Sequence, residues 1–599
     1  MDNAPPGPHD GGVTETSAPK SRDGTVADVI ATALRRRGVE CIFGQSLPSA
    51  LILAAERVGI RQLVYRAENA GGAMADGFAR VSRTLGIVTA QNGPAASLLV
   101  PPLAEASKAS VPILALVQEV PRSSRDRNAF QELDHADLFA ACTKRVSLLD
   151  SPERIEHDLD LLLTTALSGR PGPVVGLLPS DVLRLPAAGG GRAPEATIAY
   201  PYDRPRPDAD RIETAARLIA DAETPLVIAG GGVHDSNAVR ALGELQELAG
   251  LPVGTTTMGK GAVDERHELS LGMVTSYMAE GSLSHGVLKL VGAADLVVLI
   301  GTRTNENGTD AWRLFPEGAD FIHLDIDPIE IGRNYPAVRL VGDARAGLED
   351  LTAKLAVMDL SHRRSGRDQL AAAIASRRAL DRERAAPLLE SPATPLRPER
   401  VMGELDALLE ADSVVVADAS YSTIWASSYL TASPAGRRFI SPRGLAGLGW
   451  GLPLAIGAQV AAPAAQVVCL LGDGGFAHCW SELETLAREH LPITVIVLDN
   501  SILGFQKHAE LHKFGAHTGA GELAPIDHSA IAKACGVESA RVDDPQRLEE
   551  VLAGAVDVGA PFLVEVAIDP DAHPPITAWA GSPLLRRPPL PALPSPRPT

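Results

Sequence analysis

Short, wholly apolar runs that end in glycine and give way to helical stretches recur along this chain. Val467-Val-Cys-Leu-Leu471 runs into Gly472-Asp473-Gly474-Gly475; a helix is predicted over Trp480–Glu489, and Ile493–Leu498 reads as the next strand. Earlier strand-like runs, largely apolar and some of them ending in glycine, are Cys41–Gly44, Gly86–Ala90, Val111–Leu116, Pro173–Leu178, Pro225–Gly232, Ala294–Gly301 and Phe321–Asp327. Runs this apolar suit strands buried on both faces, and strands separated by helices pair in parallel. The expected class is therefore α/β, with three parallel-sheet domains at residues 25–185, 208–355 and 395–571. A linker rich in Pro, Gly and Ala (186–207) and a charged helical connector over Ser361–Glu390 separate them. Residues 1–24 are expected to be a disordered tail. Residues 574–599 form a Pro-rich tail, expected to be disordered or draped on the surface, with Pro588, Pro591 and Pro594 spaced for a polyproline II ligand.

The composition excludes several classes. A formal charge of −19 argues against nonspecific nucleic-acid binding, which needs basic patches. No apolar run reaches the length of about 18 residues that spans a bilayer, and the first residues lack a signal-peptide core. The expected location is the cytoplasm. Cys41, Cys142, Cys469, Cys479 and Cys535 are scattered without a Cys-x-x-Cys pair, so reduced, structural thiols are expected rather than a zinc site or a disulfide framework.

The turn Gly472–Gly475 carries the first chemical signal. A tight glycine turn at a helix N-terminus offers backbone N–H groups to an anion, and the helix dipole favours negative charge there. Asp473 adds a carboxylate oxygen, and Asn500, at the end of the next strand, adds another. Oxygen ligands beside a phosphate-binding turn suit Mg²⁺, which keeps phosphates and water in its shell. The segment reads as a site for a Mg²⁺-held diphosphate.

Gly472-Asp473-Gly474, followed about thirty residues later by Asn500, resembles the thiamine diphosphate signature of the pyruvate-decarboxylase-like enzymes, and most of all the acetolactate synthase large subunit. The resemblance runs from about Val26 to Asp571 and includes three further motifs in the same order. Arg66-Ala-Glu68-Asn-Ala-Gly-Gly-Ala-Met-Ala-Asp76-Gly-Phe-Ala-Arg80 is similar to the segment with the cofactor-activating glutamate. Asn128-Ala-Phe130-Gln131-Glu132 is similar to the substrate-side Phe-Gln-Glu motif. Gly444-Leu-Ala446-Gly-Leu448-Gly-Trp-Gly-Leu-Pro453 is similar to the segment that bends the cofactor.

The resemblance implies a pyrimidine-binding first domain, a Rossmann-like central domain and a diphosphate-binding third domain. Glu68 would hydrogen-bond the pyrimidine ring. The Ala446 carbonyl would hold its amino group, and Leu448 would wedge between the two rings. Ser420, Tyr421 and Ser422, which replace the family's Gly-Gln-His, would clamp phosphate together with Gly472, Gly474 and Gly475. Mg²⁺ would take Asp473, Asn500 and the Ile502 carbonyl; Asp499, where the family often has Asn, is not the expected ligand. Asn92, Leu503, Gly504 and Phe505 complete the expected cofactor contacts. Gln131 and Gln506 are catalytic candidates, His508 and Glu510 are further polar ones, and Lys144 is expected on the substrate side.

The implied reaction is decarboxylation of a small 2-oxo acid such as pyruvate and joining of the remainder to a second carbonyl. By analogy Glu68 and the diphosphate site come from different chains, so a homodimer or homotetramer is implied; no regulatory subunit is specified. Departures keep a second reading open: His508-Ala509 stands where the family has Gln-Trp, which leaves room for a 2-hydroxyacyl-CoA lyase or an oxalyl-CoA decarboxylase-like enzyme. Thr256, Met258, Gly301, Arg303, Glu330, Ile331 and Asp343 match positions that contact FAD. Against that, Arg303-Thr-Asn305-Glu-Asn307 replaces Arg-Phe-Asp-Asp-Arg, and Tyr277 replaces a usual His. FAD, ADP or an empty scaffold all remain open for the central domain.

Overall fold

The computed structural model describes residues 24–187 and 198–580. Within them lie three six-stranded sheets. The first holds β1 (Cys41–Phe43), β2 (Arg61–Leu63), β3 (Gly86–Ala90), β4 (Ile113–Glu119), β5 (Arg145–Leu148) and β6 (Val174–Pro179), in the order β2-β1-β3-β4-β6-β5. The second holds β7 (Pro225–Ala229), β8 (Val253–Thr255), β9 (Ser270–Met273), β10 (Leu296–Ile300), β11 (Asp320–Asp325) and β12 (Val338–Val341), in the order β12-β11-β10-β7-β8-β9. The third holds β13 (Val414–Ala417), β14 (Arg438–Ile440), β15 (Val467–Gly472), β16 (Ile493–Asp499), β17 (Glu538–Val542) and β18 (Phe562–Ala567), in the order β14-β13-β15-β16-β18-β17.

All the ladders are parallel, as the apolar runs require. Counted from its own first strand, the third sheet repeats the strand order of the first. The central sheet follows a different order, that of the doubly wound dinucleotide-binding fold. The connector is a single helix, Ser361–Leu389. The helix predicted over Trp480–Glu489 is shorter, Glu482–Arg488, because a separate four-residue helix already begins at Asp473.

Three helices join the first and third sheets: α1 (Glu68–Ser82), α2 (Val100–Ala109) and α3 (Gly451–Ala461). Helix α1 starts at Glu68, which places that side chain on its first turn. At the crossing of α1 and α3 the backbones touch. A Cβ on Gly77 would collide with the Leu454 carbonyl, and one on Gly457 with the Met74 carbonyl. A single apolar core consequently runs from Phe43 and Val88 through Met74 and Ile456 to Cys469 and Val495. Gly457→Ala should force the two helices apart and destabilise the protein by about 1–3 kcal/mol, the usual range for overpacking. A lowered Tm for this variant, with no such loss for Gly554→Ala at an open helix position, is the expected result; equal melting would show that the crossing tolerates the extra methyl.

The expectation for the C-terminal tail needs correction at its start. Residues 574–580 do not drape over the surface. Thr577 N–H donates to the Ser276 carbonyl (2.8 Å), Ala279 N–H donates to the Pro575 carbonyl (3.1 Å), and Ile576 and Trp579 are buried. Apolar Ile576 and Trp579 have a cluster to join, made of Met273, Tyr277 and Ile424. Pro588, Pro591 and Pro594 lie outside the described residues. Among the described residues no helix is long and apolar enough to cross a membrane, and the five cysteines form no disulfide.

Candidate active site

A cavity of about 770 Å³ opens beyond the C-terminal ends of β13, β15 and β16 and reaches the central domain. That is where open α/β sheets bind ligands, at the point where strand order reverses. Every third-domain residue expected to touch cofactor or metal lines it, as does Gln506: Ser420–Ser422, Ala446, Leu448, Gly472–Gly475, Asn500 and Ile502–Gln506. Two further helices frame it, α4 (Asp473–Phe476) and α5 (Gly504–Phe514). Gly472 caps α4 in an extended conformation, so the turn presents its N–H groups toward the cavity end where an anion is expected.

Backbone strain gathers here. Ser420 (φ 67°), Ala446 (φ 62°) and Ser501 (φ 54°) all adopt left-handed conformations that favour glycine. The resemblance sets a glycine at Ser420; the hydroxyl side chain is accommodated in the same strained turn. Such outliers persist only where surrounding contacts over-determine them, and those contacts are visible. The buried Asp418 carboxylate accepts N–H bonds from Gly449 (2.9 Å), Trp450 (3.0 Å) and Gly451 (3.1 Å). From the other domain, the fully buried Glu105 on α2 accepts from Gly444 (2.5 Å), Leu445 (2.5 Å) and Ala446 (3.3 Å). The loop carrying Ala446 and Leu448 is thus held between two carboxylates.

The residues present fit a divalent cation. Burial, then the neighbouring charge of Asp499, pushes the Asp473 carboxyl up to about 7. Oxygens of Asp473 and Asp499 and a nitrogen of His528 lie within 4.8 Å of one another. Two buried acids this close call for a counter-charge, which a cation supplies. The Asn500 Oδ1 accepts from Ile502 N–H (3.2 Å) and so ties two of the expected ligands together.

Glu68, Asn92 and Gln131 do not line this cavity. All three sit on the first domain, and Asn92 and Gln131 are bonded together there. Asn92 Nδ2 donates to the Gln131 carbonyl (3.0 Å), and Gln91 Nε2 donates to Gln131 Oε1 (2.7 Å). Buried His135 supports this loop: its Nε2 accepts from Gly93 N–H (2.9 Å), and its Nδ1 faces Glu119 (2.5 Å). Glu68 is positioned from the third domain, because buried Glu482 accepts the N–H groups of Arg66 (3.0 Å) and Ala67 (3.1 Å) just before it. Lys144 lines neither cavity; its Nζ donates to the carbonyls of Ser168 and Arg170.

Among the polar candidates on α5, Gln506 and Glu510 line the cavity and bond each other (2.7 Å). His508 does not line it. Its Nδ1 meets the Tyr421 hydroxyl at 2.7 Å, and burial lowers its pKa to about 4, so it stands neutral behind the wall. The sequence reading missed Glu105, Glu482, Arg443 and Trp579, which carry no motif of their own.

A second cavity, about 130 Å³, lies between the central and first domains. Thr256, Met258, Gly301, Arg303, Glu330 and Asp343 line it, whereas Ile331 does not. Burial, reinforced by the charges of Asp327 and Glu330, pushes Asp325 in its wall up to about 7. A carboxyl raised in the fold favours its protonated form there. Its contribution is complete below about pH 4 and is lost as pH rises through about 7, on the order of 3–4 kcal/mol. Asp325→Asn should therefore melt above the native protein at pH 8 and with it at pH 4. Parallel melting at both pH values would contradict this.

Fold and cavity together define a class: a three-domain α/β enzyme built around a diphosphate-bearing cofactor. Family profiles agree. Residues 24–138 match the thiamine pyrophosphate enzyme N-terminal TPP binding domain, 212–351 its central domain, and 418–566 its C-terminal TPP binding domain. The chain is 32% identical over 580 residues to a probable acetolactate synthase large subunit of Methanocaldococcus jannaschii, covering 93% of this chain and 94% of that one. It is 32% identical to the acetolactate synthase large subunit of Parasynechococcus marenigrum (93% and 89% covered) and to the chloroplastic acetolactate synthase of Arabidopsis thaliana (91% and 82% covered). The chain belongs to the thiamine pyrophosphate enzyme family and is an enzyme of the acetolactate synthase type.

Proposed function

We propose that this enzyme decarboxylates pyruvate and joins the two-carbon remainder to a second 2-oxo acid, with Mg²⁺ and two copies of the chain at each site. The observation that carries this reading is the gathering of every expected third-domain cofactor and metal contact around one cavity while Glu68, Asn92 and Gln131 stand apart on the first domain. Thiamine diphosphate, when bound, supplies the electron sink that makes loss of CO₂ feasible. Gly474 and Gly475 N–H groups would receive its diphosphate, and Asp473, Asn500 and the Ile502 carbonyl would hold Mg²⁺. The Ala446 carbonyl would accept from its amino group, and Leu448 would pack between its rings. Glu68 of a second copy would hold a proton at the pyrimidine nitrogen. Gln131 and Gln506 position substrate.

Exposure supports the second copy. Phe130, beside Gln131, is 86% exposed, a large apolar ring that an approaching chain would cover. In the central domain, the cavity of about 130 Å³ falls below the roughly 300–1,000 Å³ of ordinary ligand sites. We read it as a nucleotide fold not sized for FAD, so the purified protein should show no flavin absorbance.

The test is product analysis with pyruvate, thiamine diphosphate and Mg²⁺. Acetolactate with release of CO₂ is the expected result. Cofactor binding without pyruvate turnover would overturn the donor assignment and direct the search to 2-hydroxyacyl-CoA thioesters.

A further inference from the structure

Arg443 occupies a particular place: it lines both cavities, as does Asn307, and it stands three residues before Ala446. Its Nη2 donates to the Tyr277 hydroxyl (2.6 Å), and its guanidinium carbon lies 5.8 Å from the centre of that ring. These partners are a phenol and an aromatic face, not a carboxylate. Among the described residues no carboxylate forms an ion pair with it; in the smaller cavity Glu330 pairs with Arg170 (3.6 Å) and Asp343 with Arg204 (2.9 Å). Asp418 receives three N–H bonds, Asp310 pairs with Arg313 (3.6 Å), Glu510 receives Gln506 and Thr518 N–H, and Glu306 is exposed. A half-buried guanidinium without a counter-ion among the described residues is a ready partner for a ligand anion, and its planar fork matches a carboxylate in two parallel bonds.

Position says which anion. The cofactor's diphosphate belongs at Gly472–Gly475, on a different strand end. Arg443 sits on the loop whose Ala446 carbonyl serves the pyrimidine, the side where reacting carbons must meet. Beside it, Tyr277 belongs to an apolar cluster with Ile576 and Trp579, and Trp579 packs at 5.4 Å from Phe505. Asn307 stands where the resemblance sets an arginine, so of the two described residues that line both cavities Arg443 alone is a cation.

We propose that Arg443 anchors the carboxylate of the acceptor 2-oxo acid, whose apolar side chain lies against Phe505 and Trp579. The proposal rests on the carboligase reading and deepens it by naming the residue that anchors the acceptor. The C-terminal residues 574–580 thereby become part of the specificity wall.

Two measurements on the holoenzyme test it. The first is equilibrium binding of oxamate, an unreactive 2-oxo acid analogue, to native protein, Arg443→Gln and Arg443→Lys loaded with thiamine diphosphate and Mg²⁺. Native binding that weakens 10- to 100-fold in the Gln variant and is partly kept by Lys is expected. The second is the ratio of kcat/KM for 2-oxobutyrate over propanal as acceptor, which should fall about 30-fold in Arg443→Gln. Oxamate binding that is absent from native protein, or equal in native and Gln variant, overturns the proposal. So does equal loss with both acceptors, which would mark Arg443 as merely structural. Arg443-dependent oxamate binding without pyruvate turnover would keep the anchor and overturn the donor assignment instead.

Discussion

Glu68→Gln is expected to lower kcat by about 100- to 10,000-fold while leaving thiamine diphosphate affinity within a few-fold of native, the size of effect that removal of a positioned proton carrier produces. Glutamine keeps the shape and one acceptor oxygen but cannot hold the proton. The site around it should not move. Tyr65, just before it, is buried with its hydroxyl on the Thr89 carbonyl (2.7 Å), and Glu482 fixes Arg66 and Ala67 from the third domain. Steady-state turnover of pyruvate beside calorimetric cofactor binding checks this. Turnover within tenfold of native would remove Glu68 from the role assigned to it.

Glu105→Ala should produce the second large effect, and it reaches both stability and catalysis. The side chain is fully buried and accepts three N–H bonds from the loop Gly444–Ala446, with Arg80 3.9 Å away. Removing one member of such a buried, charge-assisted arrangement costs about 3–5 kcal/mol, because the partners stay behind without acceptors. Ala446, held at φ 62°, loses what keeps it strained. A lower Tm together with a cofactor affinity reduced at least tenfold is expected, measured by melting with and without thiamine diphosphate and Mg²⁺. Glu105→Gln should recover only part, since an amide offers one acceptor oxygen and turns a donor toward the loop. Native cofactor affinity in Glu105→Ala would show that the loop holds its shape without help from the first domain.

The two carboxylates form a reciprocal pair. Glu482 of the third domain sets the segment before Glu68, and Glu105 of the first domain sets the segment with Ala446. Each half of the proposed site is therefore tuned by the domain that does not carry it. Neither glutamate was legible in the sequence. Glu482 reads as an acidic first turn of a helix, and Glu105 as one polar residue in an apolar helix.

Strands showed the same division. Those buried on both faces, such as Ile113–Glu119 or Val467–Gly472, declared themselves by largely apolar runs. Edge strands with polar residues, Arg145–Leu148, Val338–Val341 and Glu538–Val542, did not, since half their surface faces away from the core. The tail was misread at 574–580 because its prolines suggested an extended surface segment. The apolar cluster that receives Ile576 and Trp579 is assembled from distant positions.

By itself the sequence determined the α/β class, the three-sheet organisation and the diphosphate turn, which are encoded locally, in runs whose periodicity, glycines and acids lie within one strand–turn–helix unit. The other third-domain residues of the cavity, and the assignment of Glu68 to a different chain from the diphosphate site, were implied by the family resemblance. Only the tertiary structure decided the repeated strand order of the first and third sheets, the crossed carboxylates and the setting of Arg443. Those depend on which surfaces meet across hundreds of residues, where burial and unpaired N–H groups, not local pattern, select the partner.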